Sequence, residues 1–195
     1  VEASQDTDRQ SAVAPSPAIA EPRKSHPLSR AAEAARAAER IIIVPGYGMA
    51  LAHAHFETVK LANRLREMGK QVKFAIHPIA GRMPGHMHVL LAEAEADPDT
   101  LFDMDDINPE FHSTDLAIVI GACDVVNPAA VNQERTPISG IPILAAHQAR
   151  CVLVCNLDDR PGYSGVDNPL YTSPKAILML GDARTSLGDL LEALR

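Results

Sequence analysis

The stretch IIIVPGYGMAL, Ile41–Leu51, decides the fold. Ile41–Val44 is apolar without polar alternation, the pattern of a strand covered on both faces. Gly46 and Gly48 follow two apart, and from Met49 to Glu67 apolar residues recur at helical spacing before Gly69. Strand, glycine turn and helix in this order open a βαβ unit, and glycines placed here let a backbone approach a phosphate closely. Leu51 stands where the third glycine of the usual dinucleotide fingerprint would be, so the loop alone does not say which nucleotide is held.

The alternation continues in both directions. Val72–His77, Leu116–Ala122, Ile141–Leu144, Cys151–Asn156 and Ala176–Leu180 read as further strands. Ser29–Arg40, with Ser29 as N-cap and a small, shallow apolar face, reads as a surface helix. Gly85–Ala96 and Thr185–Leu194 read as helices too, the last capped by Thr185 or Ser186. Six strands with helices between them predict an α/β fold, a doubly wound parallel sheet with helices on both faces. Residues 1–28, rich in Ser, Ala, Pro and charge, show neither period and read as a disordered arm or linker, leaving 29–195 as the domain. The acidic run Ala96–Asp106 lacks the glycine and spacing of a calcium loop and reads as solvated or partner-facing.

Composition bounds the function. Apolar residues make up 46% of the chain but aromatics only 4%, so the core must be aliphatic. A net charge of −7 argues against binding a nucleic-acid backbone. No apolar run approaches the length of about 20 residues that crosses a bilayer, so the chain is expected to be soluble, without direct membrane insertion. Cys123, Cys151 and Cys155 lack metal or redox spacing and read as buried thiols in a reducing compartment. His53, His55, His77, His86 and His88 cluster in sequence without the cysteines or carboxylates of a metal site, so no metal is expected.

In a sheet of this kind ligands lie beyond the carboxyl ends of the strands. PGYGMA follows the first strand, PIAGRMPGH the second, GACDVVNP the third, LDDRPGYSG the fifth and GDARTS the last. Each carries glycine, which together favours a nucleotide cleft over the ordinary need of α/β loops to turn. An acidic residue for a ribose hydroxyl is missing at the end of the second strand, where His77-Pro78 stands instead. There is no GxSxG elbow, HExxH or GK[ST] loop, and hydride transfer needs none, because the cofactor carries that chemistry. Asp124 and Arg82 are the charged residues expected in the cleft, a reading compatible with a structural salt bridge between them.

VPGYGMA, IHPIAGRMPGHM, VIGACDVVNPAA, GYSGVDNPLY and GDA resemble the NADP(H)-binding domain of proton-translocating nicotinamide nucleotide transhydrogenase, the peripheral domain after the membrane domain of the beta subunit. The resemblance covers about Ala32–Arg195, and AGRMPGHM is its most specific part. It implies a Rossmann-like sheet holding NADP(H) in reversed orientation, which would account for the missing acid after the second strand. It implies cofactor contacts in the first loop (Gly46, Tyr47, Gly48, Met49, Ala50) and in the second (Ile79, Ala80, Gly81, Arg82, Met83, Pro84). Further contacts are implied at Gly121, Ala122, Cys123, Asp124 and Val125, at Gly140 and Ile141, and at Asp182 and Ala183. Asn156, Leu157, Asp158, Asp159, Arg160, Pro161, Gly162 and Tyr163 match a loop that covers the cofactor. Asp124 and Arg82 match residues near the family's proton-coupling switch. The implied partners are an NAD(H)-binding domain or subunit and a membrane domain, and the implied location is the cytoplasmic face of the bacterial inner membrane.

One stretch departs from the family. Many members have Lys-Arg-Ser, gripping the adenosine 2′-phosphate, where this chain has Asn156-Leu157-Asp158. A phosphate dianion beside Asp158 and Asp159 would be repelled, whereas Asp158 would suit a ribose hydroxyl; Arg160 is the available compensating cation. NADP(H) is therefore expected from the family and NAD(H) from the local charges.

Overall fold

The computed structural model describes residues 26–195. The disordered arm expected over 1–28 lies almost wholly outside the described residues. Strands β1 (Arg40–Pro45), β2 (Gln71–Ile76), β3 (Leu101–Asp103), β4 (Leu116–Ile120), β5 (Cys151–Cys155) and β6 (Ala176–Leu178) form one parallel sheet in the order β3-β2-β1-β4-β5-β6. The order reverses between β1 and β4, where Ile41 pairs with Leu116 and Pro45 with Ile120.

Successive strand residues point to opposite faces, and both faces are buried. Ile41, Ile43, Phe74, Ile76, Leu116, Ile118 and Leu153 face one core, covered by α1 (Pro27–Ala37), α3 (His55–Glu67), α4 (His86–Glu93) and α7 (Ala183–Ala193). Ile42, Val44, Ala117, Val119, Val152 and Val154 face the other, closed by Met104, Ile107, Phe111, Leu144 and Leu170. Short α5 (Met104–Ile107), α6 (Ala129–Asn132) and several 3₁₀ turns replace long helices on that face. Long irregular crossovers from β4 to β5 and from β5 to β6 therefore fold back over the carboxyl edge of the sheet.

Several expected elements are corrected. The helix expected over Met49–Glu67 is two: α2 (Tyr47–Leu51) and α3, broken at His53, whose φ is 51°. The first helix starts at Pro27 with the His26 imidazole accepting from Leu28 N–H, not at Ser29. It is a cover rather than a surface helix, since Ala31 and Ala35 are fully buried. Helix α7 is capped by Asp182, whose carboxylate accepts from Thr185 N–H at 3.0 Å, instead of by Thr185 or Ser186. Ile141–Leu144 is not a strand. Pro142 has no N–H to donate, and Asn108 takes the neighbouring groups instead, donating to the Ile143 carbonyl at 2.9 Å and accepting from Ala145 N–H at 3.0 Å. The sixth strand is β3, inside the run expected to be loop, paired to β2 at the sheet edge through Phe74 and Leu101.

Candidate functional site

Three adjoining hollows run along the carboxyl edge of the sheet, meeting at the β1–β4 switch point. The middle one, about 550 Å³, is lined by Gly46, Tyr47, Gly48, Ile79–Arg82, Gly121–Val125, Gly162 and Tyr163. On one side it adjoins a hollow of about 400 Å³ between His77, Ile79, Asp124, Ile138, Ile141, Pro142 and Tyr163. On the other it adjoins one of about 200 Å³ between Gly48, Leu51, Gly121, Cys155, Leu157, Asp182 and Ala183. Clefts of this size and position are where open α/β sheets bind ligands.

The glycines of the first loop serve a crossing of chains. Gly46 N–H donates to the Ile120 carbonyl at 2.9 Å and Gly48 N–H to the Gly121 carbonyl at 2.8 Å. A Cβ on Gly46 would lie 2.4 Å from Gly121 O, and one on Gly121 would lie 2.1 Å from Met49 N. Gly121 also has a φ of 65°, which disfavours any side chain. The GYG pattern thus records backbone meeting backbone; both glycine N–H groups are spent within the protein. Met49 is in the core, and Ala50 packs against that core.

The second loop brings a cation to the middle hollow. The Arg82 guanidinium stands 5.1 Å from the centre of the Tyr47 ring. Its backbone N–H donates to His86 Nδ1 at 3.1 Å, at a turn where Gly81 has φ 89°. Ala80 is buried, while Ile79, Met83 and Pro84 are exposed. His77, itself buried, joins this loop to the segment before β5: one ring nitrogen donates to the Pro142 carbonyl at 2.8 Å, and Nδ1 accepts from Ile79 N–H at 3.2 Å. Burial holds the His77 imidazole below the usual histidine range, against a smaller opposing effect of the Pro142 carbonyl.

Asp124 does not pair with Arg82. Its carboxylate accepts from Ser164 N–H at 2.9 Å and from Ser164 Oγ at 2.6 Å. This straps Gly162–Ser164 over the cleft and leaves the Tyr163 ring fully exposed. Asn156 is buried behind Gly121 and Ala122. It accepts from Gly121 N–H at 3.0 Å and donates to the Ala122 carbonyl at 2.9 Å and to the Tyr171 hydroxyl oxygen at 2.7 Å. Burial raises the Tyr171 pKa, with Cys123 adding to the effect, so the hydroxyl remains a donor. Cys123 is half-buried on the cleft wall.

Beyond Asn156 the chain turns outward. Leu157 is 72% exposed at the end hollow. Arg160 is held by Asp158, its Nε at 3.0 Å and its Nη2 at 2.9 Å from the same carboxylate oxygen. Asp159 and Pro161 are exposed, as is Gly140, which lies with Ile141 in a further open depression near Arg135. The structure thus brings most of the expected residues to one edge, but places Met49 in the core and gives Asn156 an internal structural role. His77 lies within IHPIAGRMPGHM and Ser164 and Tyr171 within GYSGVDNPLY, but their roles rest on side-chain pairing across the fold, which the motifs do not spell out. Among the described residues no group of His, Cys, Asp or Glu is arranged to hold a metal.

Comparison with known proteins agrees with this geometry. The family model for the NAD(P) transhydrogenase beta subunit matches residues 2–193. The NAD(P) transhydrogenase subunit beta of Rhodospirillum rubrum is 45% identical over 157 residues, covering 80% of this chain and 34% of that protein. The chain thus spans about a third of the length of that relative. Benzoylformate decarboxylase from Polynucleobacter necessarius (TM-score 0.51, 16% identity, 93% of this chain, 30% of that one) is similar in fold alone. So is the thiamine diphosphate-dependent 4-hydroxybenzoylformate decarboxylase of Rhodococcus jostii RHA1 (TM-score 0.50, 16% identity, 86% and 27%). The match along nearly the whole sequence, on a parallel sheet whose switch-point cleft carries the matched loops, places this chain in the NAD(P) transhydrogenase beta subunit family.

Proposed function

We propose that this chain is the nicotinamide-dinucleotide-binding unit from the C-terminal part of a transhydrogenase beta subunit, accepting hydride from NADH held on a partner domain. The observation that carries the reading is the row of adjoining hollows of about 400, 550 and 200 Å³ across the β1–β4 switch point, walled by the matched loops. Arg82 is the single arginine or lysine lining these hollows and stands in the middle one, where it would meet a pyrophosphate. The nicotinamide ring supplies the hydride chemistry, so the protein is asked only to bind, orient and exclude water.

In the orientation implied by the family, the adenosine lies toward Leu157 and Asp182 and the nicotinamide toward Ile79, Asp124 and Tyr163. The largely apolar hollow beside His77 and Ile141, with the Asp124 carboxylate on its wall, suits a nicotinamide ring that is cationic before hydride transfer and neutral after it. Asp124 and Arg82 are the candidates for linking nucleotide binding to proton movement, because the Asp124 carboxylate holds the strap and Arg82 flanks the pyrophosphate position. The cycle would be completed by a membrane domain, with this chain on the cytoplasmic face of the bacterial inner membrane, the residues before α1 as the connection and those from Pro27 onward as the nucleotide domain. No described helix is long and apolar enough to cross a membrane. NADP(H) is the family cofactor, and NAD(H) fits the same cleft.

Stopped-flow mixing of the chain, loaded with oxidised nucleotide, with NADH on a separately prepared NADH-binding domain tests the reading. A single-turnover hydride transfer that needs both components is expected, and neither component alone should turn over. Nucleotide binding without transfer would instead make the chain a sensing module.

A further inference from the structure

We propose that this cleft selects the dinucleotide lacking a 2′-phosphate, NAD(H), over NADP(H), with the acidic tip after β5 as the determinant. The inference rests on the dinucleotide reading above and concerns only the adenosine end of the cleft.

The three hollows are lined by one guanidinium, Arg82, and two carboxylates, Asp124 and Asp182. Arg82 lines the middle hollow and neither of the end ones. At the Leu157 end the lining is mostly apolar, and its one charged side chain is the exposed carboxylate of Asp182. A 2′-phosphate placed there would bring a dianion beside the Asp182 carboxylate, with Asp158 and Asp159 next along the chain from Leu157.

The nearby cations do not reverse this balance. Arg160 is already bound to Asp158, and Arg184, one residue past Ala183, has its Nε 3.2 Å from Glu57 Oε1. The Arg160–Asp158 pair is largely exposed and costs little to break, whereas Glu57 is largely buried and would lose its cation if Arg184 moved away. Swinging Arg160 to a phosphate, however, uncovers the Asp158 carboxylate beside the same phosphate, so the net electrostatic gain is small. The opposite end offers no alternative. His77 is held neutral by burial with both ring nitrogens bonded, and the only full charge on that wall is Asp124. A ribose diol, by contrast, finds acceptors in the carboxylates of the β5 tip, the pairing that distinguishes NAD from NADP sites in sheets of this kind.

The test is calorimetric titration of the full chain with NADH and NADPH at low and moderate ionic strength. NADH is expected to bind at least tenfold more tightly, with the gap narrowing as salt screens the repulsion. The double variant Leu157→Arg, Asp158→Ser should raise the NADPH:NADH affinity ratio at least tenfold, because both positions are at the surface and leave buried Asn156 in place. Equal or tighter binding of NADPH to the unaltered chain would overturn the inference while leaving the dinucleotide reading intact. A ratio unmoved by the double variant would overturn the β5 tip as the determinant. Failure of both nucleotides to bind would remove the dinucleotide reading itself.

Discussion

Replacing Asn156 by Ala should loosen the floor of the cleft without touching its surface. The side chain is 7% exposed and makes three hydrogen bonds, to Gly121 N–H, the Ala122 carbonyl and the Tyr171 hydroxyl. At about 1 kcal/mol net for each neutral hydrogen bond, their sum is about 3 kcal/mol. Two of the orphaned groups retain a second partner: Gly121 N–H also donates to the Cys155 carbonyl at 3.1 Å, and Tyr171 reaches the Ala122 carbonyl at 3.4 Å. The expected loss is therefore about 2–3 kcal/mol, which for a domain of this size lowers Tm by roughly 4–12 °C. Urea titration followed by circular dichroism should show a lower midpoint with an unchanged slope. A cycle with Tyr171→Phe separates the amide–phenol bond from the rest, with an expected coupling of about 0.5–2 kcal/mol. A loss below about 0.5 kcal/mol, or strictly additive single variants, would refute the network as the anchor of Gly121–Ala122.

Two further outcomes are expected. Gly121→Ala should destabilise by about 2–4 kcal/mol, because the residue sits at positive φ and its Cβ would strike Met49 N; Gly140→Ala, at φ 77° with open space around it, should lose only about 1 kcal/mol. Equal losses in urea titration would show that the crossing imposes no steric limit. The His77 pKa is depressed in the folded chain, so folding favours the neutral ring. Its stabilising contribution is complete above the unfolded histidine pKa, near 6.5, and is lost as pH falls through the lower folded value. Tm measured between pH 7.5 and 5 should fall less steeply in His77→Gln, and parallel curves would exclude the imidazole as a source of the acid sensitivity.

What was legible in the sequence follows from what is local. Ile41–Val44, Leu116–Ile120 and Cys151–Cys155 are continuous apolar runs because both faces of the sheet are buried, and a run of that kind is visible without the fold. Leu101–Asp103 was illegible because only Leu101 and Phe102 pack against the cores, both half-exposed, too short an apolar run to stand out inside the acidic stretch. Ile141–Leu144 failed in the opposite sense: its apolar side chains mimic a strand, while its backbone is claimed by Asn108 from a distant turn. The site divides likewise. Glycine-bearing loops after five of the six expected strands pointed to the cleft, but Asn156 gave no sign of being buried as an internal bracket. That role depends on Tyr171, fifteen residues away in the chain and adjacent only after folding.

The crossing of Gly46–Gly48 with Gly121 has a consequence for how this cleft can change over time. No side chain can be installed there without pushing two backbones apart, so that part of the rim is closed to variation. The exposed tip from Leu157 to Arg160 bears none of the packing and can exchange residues at little cost to folding. On the proposed reading, cofactor preference can be redesigned in one short surface segment without disturbing the scaffold that gives the cleft its shape.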